Sequence, residues 1–366
     1  EYSDWQYADW LINYQGGFIR RGLIGELLFK IHNILSVNLD ILVFSFVILL
    51  YSFLLIFLIK SIKYLDTSKI DTLIFLSPGF FLYPIMNSEI IGRKEILLFV
   101  ILGIFVFFEK YLKDRYLFFT VLFSILLLSL THTGLFFYSQ YLIFLYFLIR
   151  SNQNKKITFF EIFIVIIYLL SLFSLLYSTG STKIQVIEIC NSIKNFVKDD
   201  CVSRGQFFWL YQTLQEYVDV KLSIDLSRNF IIYLSSLFLV FIFISIKLYF
   251  SIFKSGYNYL NLLNPFLIFL LLFVFTIPIY IVGIDWGRYI SMSFFSTYFI
   301  YIYLIKQKMI SFNFKNFFLK KKISKNLFFI FVFIYAFTWT FPFYGANSFK
   351  LTLKKPLISA LKIINN

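Results

Sequence analysis

Residues 1–23 read EYSDWQYADWLINYQGGFIRRGL, and this stretch differs in character from almost everything that follows it. It combines tryptophans and tyrosines with a double-glycine turn, and its charged residues include Asp4, Asp9, Arg20 and Arg21. Most of the chain after Val37 is apolar enough to lie in a membrane. A polar, aromatic segment beside such a body belongs at the lipid–water boundary, where Trp and Tyr are enriched, or folds over a cavity. We therefore expect residues 1–37 to form an amphipathic segment that the other charged clusters join.

The composition excludes an ordinary soluble domain. Of 366 residues, 60% are hydrophobic and only 14% are charged, and the mean hydropathy is +0.80. The formal net charge of +15 could indicate a nucleic-acid partner. In a membrane protein, however, lysines that gather in short cytoplasmic loops set the topology. We therefore predict the lipid bilayer as a partner and no nucleic acid.

Apolar runs predict an all-α, polytopic integral membrane bundle with about ten transmembrane helices, since a helix needs roughly 20 residues to cross the hydrocarbon. Pro and Gly interrupt some runs, as at Ser77-Pro78-Gly79, so we expect broken or re-entrant helices there. Without a repeat or a linker in the sequence, we treat residues 1–366 as one integral membrane domain. The predicted spans are 38–60, 70–86, 95–109, 115–131, 135–149, 157–178, 229–253, 263–284, 289–306 and 326–344.

The positions of the two cysteines predict which ends of these spans face the outside of the cell. Cys190 and Cys201 both lie in the long polar connection 179–228 and are predicted to form a disulfide, which persists in an oxidising compartment. Two unrelated reduced thiols are the alternative. With this loop outside as a cap, the positive-inside rule is met, because the inner connections are the lysine-rich segments 60–69, 110–115, 150–156, 247–254 and 306–325. The outer segments are then 1–37, 87–94, 131–134, 179–228, 285–288 and 345–366.

The abundance of Phe, Ile, Lys and Asn favours an AT-rich bacterial genome. The predicted location is therefore the bacterial cytoplasmic (inner) membrane, with the active face extracytoplasmic. Because the chain begins with Glu and shows no cleavable signal peptide, we expect a short N-terminal piece to precede it.

Charged clusters at the predicted outer ends of the spans are the candidate functional residues, because ionisable groups near membrane depth are costly and mark substrate paths. Arg and Lys can grip phosphate oxygens, and an indole can cover the apolar face of a sugar. The predicted diphosphate- and sugar-binding residues are Arg20, Arg21, Arg93, Lys94, Arg288 and Trp286. A carboxylate could take the proton of an acceptor hydroxyl, and a histidine could act as acid, base or phosphate donor. The predicted catalytic residues are Asp4, Glu89, Asp285 and His132.

Each cluster also has a structural interpretation. Any one of them could be a solvated helix end, and Asp285 and Arg288, three residues apart, could simply pair with each other. His132 could be a structural hydrogen-bonding residue. Metal-ligand spacings and nucleotide-binding motifs are absent from the sequence, so we predict neither a metal nor a cofactor.

The segments SDWQYADW, GGFIRRG, GRKE and DWGR resemble, in their placement, the polytopic glycosyltransferases of the GT-C type and the bacterial polysaccharide polymerases of the Wzy kind. The resemblance implies transfer of polyprenyl-diphosphate-linked sugars at the outer face, as in O-antigen or capsule assembly, with polysaccharide-assembly proteins as further partners. It implies a base in the first outer loop, at Asp4 or Asp9. It also implies that the lipid diphosphate is held by Arg20, Arg21, Arg93 and Arg288. The chain lacks the DxD pair of the metal-dependent members and a large outer domain.

Two other functions stay open. A transporter or flippase of lipid-linked glycans would need charges deep inside its spans and symmetry between its halves. A non-enzymatic membrane assembly protein would carry these charges only as helix ends.

Overall fold

A computed structural model describes most of the chain as helices. The described residues are 4–19, 21–65, 69–87, 90–112, 114–153, 155–156, 158–177, 181–197, 206–212, 216, 219, 226–254, 263–312 and 324–342. In chain order the helices are α1 (Asp4–Leu11), α2 (Leu23–Leu35), α3 (Leu39–Ile62), α4 (Lys69–Phe75), α5 (Leu82–Met86), α6 (Glu95–Phe108), α7 (Asp114–Thr131), α8 (Thr133–Phe136), α9 (Ser139–Asn152), α10 (Phe159–Tyr177), α11 (Lys183–Ser192), α12 (Leu226–Tyr249), α13 (Pro265–Val274), α14 (Ile277–Val282), α15 (Trp286–Lys306) and α16 (Lys325–Phe337). Short strands β1 (Ser251–Phe253) and β2 (Ile310–Phe312) pair antiparallel, with Ser251 opposite Phe312. The predicted all-α class is therefore confirmed.

Local capping explains where several helices begin. The Asn38 side chain accepts the backbone N–H of Asp40 at 2.7 Å, and it starts α3. At α13, Asn264 caps in the same way, with Pro265 as the first helical residue. Polar residues that sit just before apolar runs thus fix the helix starts.

Three helical stretches in the described part of the chain are long and apolar enough to cross a membrane: Leu39–Ile62, which is α3, Thr133–Asn152, which comprises α8 and α9, and Phe230–Tyr249, which is most of α12. Most of the other apolar helices are shorter. The run 70–86 is broken into α4 and α5 around Ser77-Pro78-Gly79, and the run 263–284 is broken between α13 and α14 just before Pro278. The structure is thus compatible with a membrane location, and the count of ten spans stays a prediction.

The chain divides into two compact units, each built from two sequence segments. The first unit comprises Glu1–Lys63 and Gly92–Val220, and the second comprises Tyr64–Ile91 and Lys221–Asn366. The single-domain interpretation of residues 1–366 stays a prediction.

Buried ion pairs join helices inside each unit. In the first, Arg150 Nε of α9 donates to Glu161 Oε1 of α10 at 2.8 Å. In the second, Lys247 Nζ of α12 lies 3.2 Å from Asp71 Oδ2 of α4, and the Tyr301 hydroxyl donates to Asp71 Oδ1 at 2.8 Å. A charge removed from water needs such a partner, because desolvation is otherwise uncompensated. The positive-inside rule assigns Arg150 and Lys247 to inner connections, whereas the structure buries both of them.

The predicted disulfide falls partly outside the described residues. Cys190 is buried near the end of α11, whereas Cys201 lies outside the described ranges. The pairing of Cys190 with Cys201 and the cap formed by 179–228 therefore stay predictions.

Candidate functional site

The first unit holds the GRKE sequence in a defined conformation. Gly92 has a φ of 81°, a left-handed conformation that favours glycine. Its N–H donates to the Tyr51 hydroxyl oxygen at 3.0 Å, and its carbonyl accepts the Trp10 indole N–H at 2.5 Å. These contacts with α3 and α1 fix the backbone, and Arg93 and Lys94 follow at the N-terminus of α6. The positive end of that helix dipole adds to their charge.

Lys94 connects three other segments. Its ammonium lies 3.5 Å from Asp9 Oδ1 of α1 and donates to the carbonyls of Arg21, at 3.3 Å, and Thr131, at 3.2 Å. The Lys94 and Asp9 side chains are 0% and 2% exposed. The pair therefore holds together the starts of α2 and α6 and the end of α7.

His132 lies beside the same group of charges. Its Nδ1 accepts the backbone N–H of Gly134 at 2.9 Å, so in the neutral ring the proton is on Nε2. Burial, together with the positive charges of Arg21, Lys94 and Arg93, lowers the pKa of His132 well below its ordinary value, while Asp9 acts in the opposite direction. The imidazole is thus neutral at physiological pH and can donate a hydrogen bond from Nε2.

The turn between α1 and α2 sets the position of Arg21. Glu26 Oε2 of α2 accepts the Tyr14 backbone N–H at 3.0 Å and the Gln15 side-chain N–H at 3.1 Å. A Cβ on Gly25 would overlap the Ile12 carbonyl oxygen, so α2 lies directly against the residues that follow α1. Arg21 is half-buried immediately before α2, at a second positive helix end.

The first unit therefore brings together Arg21, Arg93, Lys94 and His132, four of the residues predicted for the site, and adds Asp9. Arg20 and Glu89 lie outside the described residues. Asp4 is the first residue of α1, and its side chain is not described. Its predicted role as a base stays a prediction.

In the second unit, the DWGR sequence forms a local cluster at the start of α15. Arg288 Nη1 donates to Asp285 Oδ2 at 3.1 Å, and the Arg288 and Asp285 side chains are 5% and 22% exposed. The pairing considered as a structural alternative is therefore formed. The Trp286 indole N–H donates to the carbonyls of Tyr280, at 2.8 Å, and Gly283, at 3.0 Å. Trp286 thus closes the connection between α14 and α15.

Gly287 lets other parts of the protein, rather than a ligand, pack closely against it. A Cβ at this position would overlap the Pro342 carbonyl oxygen and the Tyr83 hydroxyl, both within the second unit. The glycine of the DWGR sequence is therefore explained by packing.

Several important residues were missed by the sequence analysis or left outside the predicted site. Asp9 was named beside Asp4 as a possible base, whereas the structure pairs it with Lys94. Asp71 and Lys247 lie 176 positions apart in the sequence and carry no local signal of their pairing.

Within the described ranges, His, Cys, Asp and Glu form no group of three or more that could hold a metal ion. The described site therefore contains cations, a neutral imidazole and the buried carboxylates of Asp9 and Glu95. Comparisons with protein-family models, curated proteins and solved structures gave no match to this chain.

Proposed function

We propose that this chain is a membrane glycosyltransferase or polysaccharide polymerase that uses polyprenyl-diphosphate-linked sugars at the extracytoplasmic face of a bacterial cytoplasmic membrane. The observation that carries the proposal is the gathering of Arg21, Arg93 and His132 around the Lys94–Asp9 pair. Positive groups at two helix N-termini and a neutral N–H donor are suited to an anion with several oxygens. A diphosphate joined to a lipid meets that description in a chain with candidate membrane spans.

Lys94 acts as a positioning residue in this proposal. Its ammonium is fully buried and is already held by Asp9 and two carbonyls. In this proposal the charges that bind the diphosphate belong to Arg21, which is half-buried just before α2, and to Arg93, which is 7% exposed at the start of α6. The Lys94–Asp9 pair keeps those two helix starts close together.

His132 donates its Nε2–H to a diphosphate or sugar oxygen. A neutral imidazole with a lowered pKa does not take up a proton readily near neutral pH, so a role as general base is disfavoured. The proton of the acceptor hydroxyl is assigned instead to the carboxylate of Asp4, the predicted base that belongs to the same unit as this cluster.

The reaction breaks the bond between the sugar anomeric carbon and the diphosphate oxygen. The acceptor hydroxyl oxygen forms the new bond to that carbon, and its proton passes to the carboxylate. The bonding electron pair leaves with the polyprenyl diphosphate, whose growing negative charge the arginines stabilise. In this scheme every bond, proton and electron pair is accounted for by the two substrates and the residues of the chain.

The test replaces the native copy with Arg93→Ala in the cells that produce the protein. We expect loss of the surface polysaccharide and accumulation of its lipid-linked precursor, because the precursor is no longer consumed. Arg115→Ala is the matched control, since Arg115 is an exposed arginine at the start of α7. Normal polysaccharide in the Arg93 variant, at equal protein level, would contradict the proposal.

Transport of a lipid-linked glycan is the second candidate, and one observation favours it. Asp71 and Lys247 form a buried ionisable pair at the predicted inner ends of the spans 70–86 and 229–253, where a translocation path would open. Vesicles that contain the purified protein distinguish the two functions. If the lipid-linked sugar moves between leaflets and no new glycosidic bond forms, the chain is a transporter and the proposed glycosyltransferase function is refuted.

A further inference from the structure

A cavity of about 470 Å³ lies in the first unit, next to the charged cluster but separate from it. Its lining includes Tyr7 and Trp10 of α1, Asp40 and Phe44 of α3, and Phe196 after α11. Trp10 is the residue that also binds the Gly92 carbonyl, so the cavity shares one wall with the candidate site. The proposed function assigns nothing to this cavity.

The polar groups of the cavity select for a cation. The Tyr7 hydroxyl donates to Asp40 Oδ1, which orients the carboxylate in the first turn of α3. Among the described lining residues, Tyr7 and Asp40 carry the polar side-chain groups apart from the Trp10 indole N–H, which already donates to Gly92, and the others are aromatic or aliphatic. A carboxylate among aromatic rings attracts an ammonium by charge and by cation–π interaction. A free sugar would need more hydrogen-bonding partners than these described residues offer.

The α3 side of the cavity carries Asp40, which is exposed, and is otherwise apolar. Ile41 and Phe44 are 59% and 49% exposed, and both lie on α3, one of the helices that can cross a membrane. Asp40 stands at the first turn of that helix, where the end of a span meets the headgroup region. An acyl chain can therefore lie along Ile41 and Phe44 while its headgroup reaches Asp40.

We propose that this cavity binds a phospholipid with a primary ammonium headgroup, of the phosphatidylethanolamine type. The ammonium donates to the Asp40 carboxylate and lies against the partly exposed ring of Tyr7. The acyl chains extend along Ile41 and Phe44 of α3. An anionic headgroup without an ammonium, such as that of phosphatidylglycerol, is disfavoured because the carboxylate repels it.

The test measures lipid retention by the purified full chain with native mass spectrometry. The protein is equilibrated with equal amounts of phosphatidylethanolamine and phosphatidylglycerol that carry identical acyl chains. We expect the wild type to retain the ethanolamine lipid about tenfold more than the glycerol lipid. Asp40→Asn should bring the ratio close to one, and Asp40→Glu should keep most of the preference.

Glu188→Gln is the matched control, because it removes an exposed carboxylate of α11 in the same unit and should leave the preference unchanged. A preference that survives in Asp40→Asn would overturn the proposal. Equal retention of both lipids by the wild type would also overturn it and would assign the cavity to acyl chains alone.

Discussion

Replacing Lys94 with methionine tests how strongly the buried pair holds the candidate site together. The substitution keeps an unbranched apolar stem but removes the ammonium that contacts Asp9 and the carbonyls of Arg21 and Thr131. It leaves a carboxylate that is 2% exposed without this cation, and breaking a buried pair from one side costs about 3–5 kcal/mol. We therefore expect Lys94→Met to lower the free energy of unfolding by about that amount.

Asp9→Asn, which removes the other charge of the pair, should destabilise the protein less than Lys94→Met does. Lys94 keeps both backbone carbonyls, and an amide oxygen takes the place of the carboxylate oxygen. We therefore expect the free energy of unfolding to fall by about 1–3 kcal/mol. In the double variant the stranded charge is absent, and the double-mutant cycle should show a coupling energy of about 1–3 kcal/mol.

The assay is unfolding of the purified protein in mixed micelles, titrated with a denaturing detergent and followed by tryptophan fluorescence. Lys30→Met is the control, because Lys30 is 65% exposed and pairs with Glu26 on one helix at 3.5 Å, a contact worth under about 1 kcal/mol. If Lys94→Met were no more destabilising than Lys30→Met, or if the cycle showed no coupling, the argument for a buried positioning pair would fail.

Three further predictions follow from single contacts. As pH falls below about 6.5, the unfolded state binds a proton that the buried His132 of the folded state excludes, so stability should fall by up to about 1.4 kcal/mol per pH unit, and His132→Gln should flatten the pH–stability curve. Gly25→Ala should cost about 1–3 kcal/mol in the same unfolding assay, because its Cβ meets the Ile12 carbonyl oxygen; unchanged stability would show that α2 shifts freely. Lys247→Met should cost about 3–5 kcal/mol, and adding Asp71→Asn should restore part of it; equal values for single and double variants would refute the coupling.

Helix positions were largely predictable because they depend on local pattern. The runs 38–60 and 115–131 correspond to α3 and α7, and the interruption at Ser77-Pro78-Gly79 falls where α4 ends. Apolar runs, capping residues and helix breakers are all read within a few residues of chain, so the sequence carries this information directly.

Pairing between distant residues was not predictable. Lys94 was assigned to substrate binding from its neighbours in the sequence, yet the structure buries it against Asp9, 85 positions earlier. Arg150 was interpreted as a cytoplasmic-loop residue under the positive-inside rule, whereas the structure pairs it with Glu161 of the next helix. A single sequence gives the charges, but tertiary packing decides which charge meets which.

The Arg93 and Arg21 grouping was predictable in part. Both were identified as diphosphate-binding candidates from basic pairs beside glycine. Their common location depends on the Gly92 contacts with Tyr51 and Trp10, which join three segments and leave no pattern in the sequence.

The most direct test of the account measures equilibrium binding of polyprenyl diphosphate to the purified protein in nanodiscs, with polyprenyl monophosphate for comparison. The account predicts that the wild type prefers the diphosphate and that Arg93→Ala weakens its binding about 10- to 100-fold, since a charge-assisted hydrogen bond contributes roughly 1.5–3 kcal/mol. Arg115→Ala should bind like the wild type. Equal binding of both lipids by the wild type, or unchanged diphosphate binding by Arg93→Ala, would contradict the account.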